Sequence, residues 1–345
     1  MMKIFPNNRD KIKQKILGIE LLRFILCFLV VMDHLYSEAQ KYVYMLCYHI
    51  PTFFIISFYF TYNTLISFDI KKTKLRLERL FIPYITWSLI SYLINVIYFH
   101  LFKKPVLHSF KDCLINLING HIFNVVLWFQ NILILLTLLF LIIIYLFKKF
   151  KNLYLHILII LWIIAYLFQY SGLNYYFFNH FFCRNTFSTF GRFAEALPNA
   201  ITGMLLSKID KKVKIKKHYK KIIIFSLIIL YILTKYHKFD RVKGFRYQGI
   251  RLNIAGICIF MIFYSLPFEN LKNKLIREIL IKITSYTGGI YFIHRLIGCG
   301  YLSNYISLIK KRTIKGCIIV YLISYMISFL GSKIFKNNKF KHCFS

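Results

Sequence analysis

Residues 18–36 read GIELLRFILCFLVVMDHLY, an apolar run that nevertheless holds Glu20, Arg23, Asp33 and His34. An ionisable side chain inside a membrane span costs several kcal/mol unless it faces protein or water, so each one is a functional candidate. Arg23 and His34 lie eleven residues apart. At about 100° and 1.5 Å per residue they share one stripe of a helix, about 16 Å apart along its axis. A cation near one membrane face and a titratable base near the other suit chemistry that crosses a bilayer. His34 can serve as general base on a hydroxyl or thiol, or as an acyl-accepting nucleophile; the bland reading is an interfacial histidine among headgroups. Arg23 can anchor a phosphate or a thioester carbonyl, or else snorkel to the inner interface or pair with Glu20 at i,i+3.

Other residues extend the pattern. Arg76 and Arg79 stand one helical turn apart in KKTKLRLERLFIPY, and two forked guanidiniums on one face make a phosphate-binding pair. The alternative is a basic loop that merely sets topology. His49 precedes Pro51 early in a second apolar run, at the depth expected for His34. The stretch GRFAEALPNAITG, residues 191–203, holds three of the chain's six alanines. Small residues let helices approach closely, and Arg192 and Glu195 at i,i+3 can pair beside a polar cavity. His294 and Arg295 lie in the outer half of a further run. Five polar groups at one depth, His34, His49, Arg192, Glu195 and His294, predict a shared water-filled pocket that could receive an acceptor.

The elements that must position these residues are membrane helices. The chain of 345 residues is 58% hydrophobic, with mean hydropathy +0.57, and still carries a formal charge of +35. Repeated apolar runs of about 20 residues fit membrane spans. The fold class predicted is all-α, a polytopic membrane helix bundle of about ten transmembrane helices. The expected spans are 17–36, 43–66, 80–101, 122–146, 153–171, 189–207, 221–236, 248–267, 281–302 and 314–335. Segments on the side of the termini carry about twice as many Lys and Arg as those opposite, which puts both termini in the cytoplasm. The basic loop 235–251 is the dissenting segment. Positive-inside topology accounts for the charge better than nucleic acid does.

Eight cysteines show no CxxC and no paired ligand spacing, so neither a metal site nor a disulfide framework is expected. The basic N-terminus precedes a long, charge-bearing run without a small-residue cleavage site, which reads as an uncleaved anchor. No linker and no internal repeat divides the chain. Residues 1–345 therefore read as a single membrane domain with no additional soluble domain, and no nucleic-acid partner is expected.

Taken together, these motifs resemble the integral-membrane acyltransferase family 3, which includes O-acetyltransferases of surface polysaccharides. Arg23 to His34 is similar to that family's Arg-x10-His motif. RLER (Arg76 to Arg79), followed by IPYITW, is similar to its Arg-x-x-Arg motif. HIPTFFIIS, VLWF and IYFIH fall in order where the family has comparable stretches. One departure is Phe58, where the family usually has glycine. The resemblance implies an O-acyltransferase of the cell (inner, cytoplasmic) membrane. It would move acetyl from cytoplasmic acetyl-CoA, a substrate and not a resident cofactor, to a hydroxyl of a glycan or lipid-linked sugar. Arg76 and Arg79 would hold the CoA phosphates, Arg23 the pantetheine or thioester, and His34 would activate the acceptor or carry the acyl group. The rival reading is a carrier or flippase for a lipid-linked sugar, with the same charges lining a path.

Overall fold

The computed structural model describes residues 16–36, 48–102, 117, 126–147, 150, 153–170, 186–213, 215–235, 249–268, 273–298, 313–336 and 338–344. The described residues are helical throughout and include no strand. Eleven α-helices follow one another: α1 Leu17–Leu35, α2 His49–Ile66, α3 Ile70–Phe102, α4 Leu127–Phe147, α5 Leu153–Tyr170, α6 Thr186–Val213, α7 Tyr219–Lys235, α8 Ile250–Ser265, α9 Lys274–Thr284, α10 Thr287–Gly298 and α11 Ile314–Ile334. Short 3-10 helices, Ile215–His218 and Lys339–Cys343, complete the described set. Residues 37–47, 171–185 and 299–312 lie outside the described residues, as does most of 235–251.

Three helices, α4, α5 and α11, are long and apolar enough to cross a membrane by length and composition. α1 is of spanning length but carries Glu20, Arg23, Asp33 and His34, and such groups are tolerated in lipid only when they face protein or water. Leu135, Ile142, Ile160, Ile164, Leu167, Leu322 and Leu330 all point outward from these three helices. This outward apolar surface is the inverse of a soluble bundle and suits contact with lipid tails.

Three expected boundaries change, one of them the end of α6, which runs past 207 to Val213. Residues 70–79, read as a loop, continue the helix of the third run, so α3 has 33 residues and is about 50 Å long. Pro83 sits within it, and a proline ring has no N–H to give the carbonyl four residues back. The expected ninth span is broken: α9 ends at Thr284 and α10 begins at Thr287. α9 is amphipathic, with Leu275, Ile276 and Ile279 exposed on one side, a pattern suited to an interface and unlike a buried span.

At the centre, α2 packs against α6 along most of its length, while α1 touches α2, α8, α9, α10 and α11. The small residues of α6 explain the first contact. A methyl group on Gly203 would collide with the backbone carbonyl of Ile55 in α2, so glycine is what lets the two backbones meet. Polar side chains bridge the same region: Asn253 donates to Asn199 at 2.7 Å, and the Trp162 indole donates to Thr202 at 3.1 Å. Nearby, Asp210 accepts the hydroxyls of Tyr59 and Tyr264, each at 2.6 Å.

The segment 338–344 turns back into the bundle between α3, α10 and α11. The Trp87 indole donates to the Cys343 carbonyl at 3.1 Å, and Lys339 pairs with Glu78 at 3.4 Å. The Phe344 ring lies against Trp87 and stacks on Phe335. Its seat exists because Gly331 has no side chain there.

Candidate active site

His34 and His294 come together at one end of α1 and α10. Their rings stack with centroids 5.5 Å apart, a proximity permitted by the contact of Gly298, one turn beyond His294, with the side chain of Leu35, the residue after His34. His294 is completely buried. Its Nδ1 lies 3.1 Å from the Ile290 carbonyl, and a carbonyl can only accept, so Nδ1 carries the hydrogen. Nε2 of the neutral ring is then a bare acceptor, and it has no hydrogen-bond partner among the described residues. His34 is half-buried, so one histidine of the pair reaches open space while the other supports it from within.

A second pair sits beside the first in the sequence of α1. Asp33 points towards α2, where its Oδ2 lies 4.0 Å from His49 Nε2, and both side chains are buried. Asp33 is an ionisable residue of the first run to which the sequence alone assigns no role. Its adjacency to His34 is the available signal; its partner on α2 is not readable from spacing.

Arg192 and Glu195 pair at 2.8 Å on α6, and the Arg192 guanidinium covers the Trp128 ring at 4.7 Å. Trp128 adjoins Phe129, which packs on Tyr291 at 5.6 Å. Tyr291 is in turn 6.1 Å from His294 and donates its hydroxyl to the Val126 carbonyl at 2.5 Å. The ion pair thus connects to the histidines through an aromatic layer. The five residues expected at one depth form two tight groupings, His34 with His294 and Arg192 with Glu195, plus His49 held by Asp33.

The arginines lie elsewhere. Arg23 makes the i,i+3 contact with Glu20 at 3.4 Å, and it sits at the opposite end of α1 from His34. Arg76 is drawn into the bundle: Nη2 donates to Ser57 at 3.0 Å and Nε to Thr137 at 3.2 Å. Its guanidinium lies 5.3 Å from the Phe58 ring. Phe58, the departure from the family pattern, is fully buried against Phe140 and so forms part of the seat of Arg76. Arg79 stays exposed on the side facing the 338–344 segment, beside His342. The two guanidiniums therefore sit in unlike surroundings, one bracing α2, α3 and α4, the other open.

Cys27 donates to the Thr287 carbonyl at 3.4 Å, which ties the middle of α1 to the start of α10. Cys27, Cys258, Cys317 and Cys343 are buried thiols that form no disulfide among the described residues.

The arrangement offers a base pair of imidazoles at one end of α1 and cationic anchors at the other. That is a layout for group transfer between two sides of a helix bundle. Comparison with curated proteins and with solved structures gives no match. The family model described as an acyltransferase domain matches residues 16–337, nearly the full length, and the chain belongs to the integral-membrane acyltransferase family 3.

Proposed function

We propose that this membrane acyltransferase moves acetyl from cytoplasmic acetyl-CoA to a hydroxyl of a surface polysaccharide or lipid-linked sugar. It would do so as a multi-pass protein of the cytoplasmic membrane, with about ten spans and both termini inside. The basic residues crowded on the side of the termini support that orientation. The observation that carries the chemical reading is the half-buried His34 stacked on the buried His294, at the far end of α1 from Arg23.

In this reading Arg79 meets the CoA phosphates, while Arg76, braced by Ser57 and Thr137, gives a fixed charge beside them. Arg23 exchanges its Glu20 contact for the pantetheine, whose far end carries the thioester to His34. The roughly 16 Å along α1 is bridged by the extended pantetheine arm. His34 takes the proton of the acceptor hydroxyl as that oxygen attacks the acyl carbonyl. The C–S bond breaks, and the proton passes to the departing thiolate, leaving an ester and free CoA. His294, with Nδ1 fixed by Ile290, holds the His34 ring in place. Arg192, Glu195 and His49 line the acceptor side.

The test uses membranes with wild-type or His34→Ala protein at matched abundance, given acetyl-labelled acetyl-CoA and envelope glycan. Label should enter an alkali-labile ester with wild type, and fall by at least about 100-fold with the variant, the usual worth of a general base. Equal labelling by both would remove His34 from the reaction. No labelling by either, with longer acyl-CoAs also tried, would favour a carrier of lipid-linked sugars.

A further inference from the structure

A groove of about 550 Å³ opens on the outside of the bundle, between the start of α3 and the end of α4. Its size falls in the range of ligand sites. Phe68, Leu77, Phe81, Leu141, Ile142 and Tyr145 make its walls apolar. Three polar residues, Thr73, Lys74 and Glu78, break that lining. Thr73, 6% exposed, places a hydroxyl there that has no hydrogen-bond partner among the described residues. A buried hydroxyl left unmatched is costly, so something that accepts a hydrogen bond is expected beside it.

Lys74 stands at the rim, with exposed Lys71 one turn away along α3. Among the described residues the acids of this rim pair with other lysines, Asp69 with Lys72 at 2.6 Å and Glu78 with Lys339 at 3.4 Å. The rim is therefore net cationic. The groove also faces away from the bundle interior, since Arg76 on the same helix points the other way, to Ser57 and Thr137. Ile70, Phe81, Ile142 and Tyr145 are exposed at its edge, where the bundle meets lipid.

We propose that this groove is a binding site for an anionic phospholipid. One acyl chain lies along the apolar walls, its ester carbonyl accepts from Thr73, and its phosphate meets Lys74 and Lys71. The site is separate from the acyl-transfer site and does not depend on the acetyl-transfer reading. A lipid seated there would clamp α3 to α4 next to the helix turn that carries Arg76 and Arg79.

The test uses the purified full chain in phosphatidylcholine vesicles containing a trace of spin-labelled phosphatidylglycerol. Its immobilised fraction is compared with that of spin-labelled phosphatidylcholine. Wild type should select the anionic lipid. Lys74→Gln should cut that selectivity by about fivefold, the worth of one surface cation towards anionic lipid. Thr73→Val, close in shape, should weaken retention roughly threefold through the lost hydrogen bond, and Leu77→Trp should abolish the selective component by filling the groove. Ile164→Trp, an outward position on α5, is the control and should leave it unchanged. Two results would overturn the proposal. One is selectivity that is absent, or unaltered in Leu77→Trp and Thr73→Val. The other is displacement of the bound label by palmitoyl-CoA but not by unlabelled phosphatidylglycerol, which would assign the groove to the acyl donor.

Discussion

At the scale of single residues, burial separates groups that a sequence shows as equals. His34, His49 and His294 all read as titratable side chains near one membrane face. In the fold, His294 is sealed and held by Ile290, His49 is held by Asp33, and His34 keeps an open side. His294→Gln, which retains an acceptor but not the ring stack, should lower kcat with little change in KM for acetyl-CoA. A matching change in KM would instead place His294 in donor binding. Phe58→Gly restores the residue usual in the family but empties a sealed site. Large-to-small changes in cores cost about 3–5 kcal/mol for Phe, so its thermal midpoint in detergent should fall clearly and Arg76 should lose its aromatic neighbour. Asp33 shows why part of the site was hidden in the sequence. A carboxylate next to His34 could serve it or point elsewhere, and only the path of α2 decides that it meets His49.

At the scale of helices, the apolar runs located most elements because a span's length is set by the bilayer. The misplaced boundaries share a physical cause. Hydropathy marks where lipid contact stops, and a helix need not stop there. α3 continues through its lysine-rich end because KKTKLRLER has good helix formers and no breaker before Pro83, while α9 and α10 part at Ser285 and Tyr286, where apolar content gave no warning. The alanine and glycine pattern of residues 191–203 proved a sound guide to close packing. Gly203→Val should therefore push α2 and α6 apart, costing about 1–3 kcal/mol as overpacking does, with a lower thermal midpoint and lower activity together. Gly203→Ala should show the same direction with a smaller effect.

At the scale of the whole molecule, two expectations remain to be measured. If both termini are cytoplasmic, a cysteine placed at Lys217 in a variant otherwise free of reactive thiols should react with an impermeant maleimide only after cells are opened. Labelling in intact cells would reverse the topology. The second concerns pH. Burial, then the cations Arg79 and Lys341, push His342 below its usual 6.5. A histidine depressed in the fold favours the folded state while neutral, so its contribution is present above about pH 6.5 and is lost as pH falls towards the folded value. Once the slower intrinsic amide exchange at lower pH is divided out, hydrogen-exchange protection in 338–344 should thus be smaller at pH 5.5 than at pH 7.5 in wild type, and this difference should be much reduced in His342→Gln. The family resemblance said nothing of this segment, because its hold depends on Trp87, which is far from it in the chain.

That segment also sets an order in time. Trp87 and Cys343 are 256 residues apart, and everything 338–344 touches leaves the ribosome before it does. At about 5–20 residues per second, α3 waits many seconds with the Trp87 indole unmatched, while α10 and α11 are still being made. The cleft between these helices must therefore be inserted open and closed afterwards, in one late step that joins α3 to residues 338–344. A nascent chain stalled before residue 338 would carry every catalytic candidate in the membrane and still be an unfinished bundle.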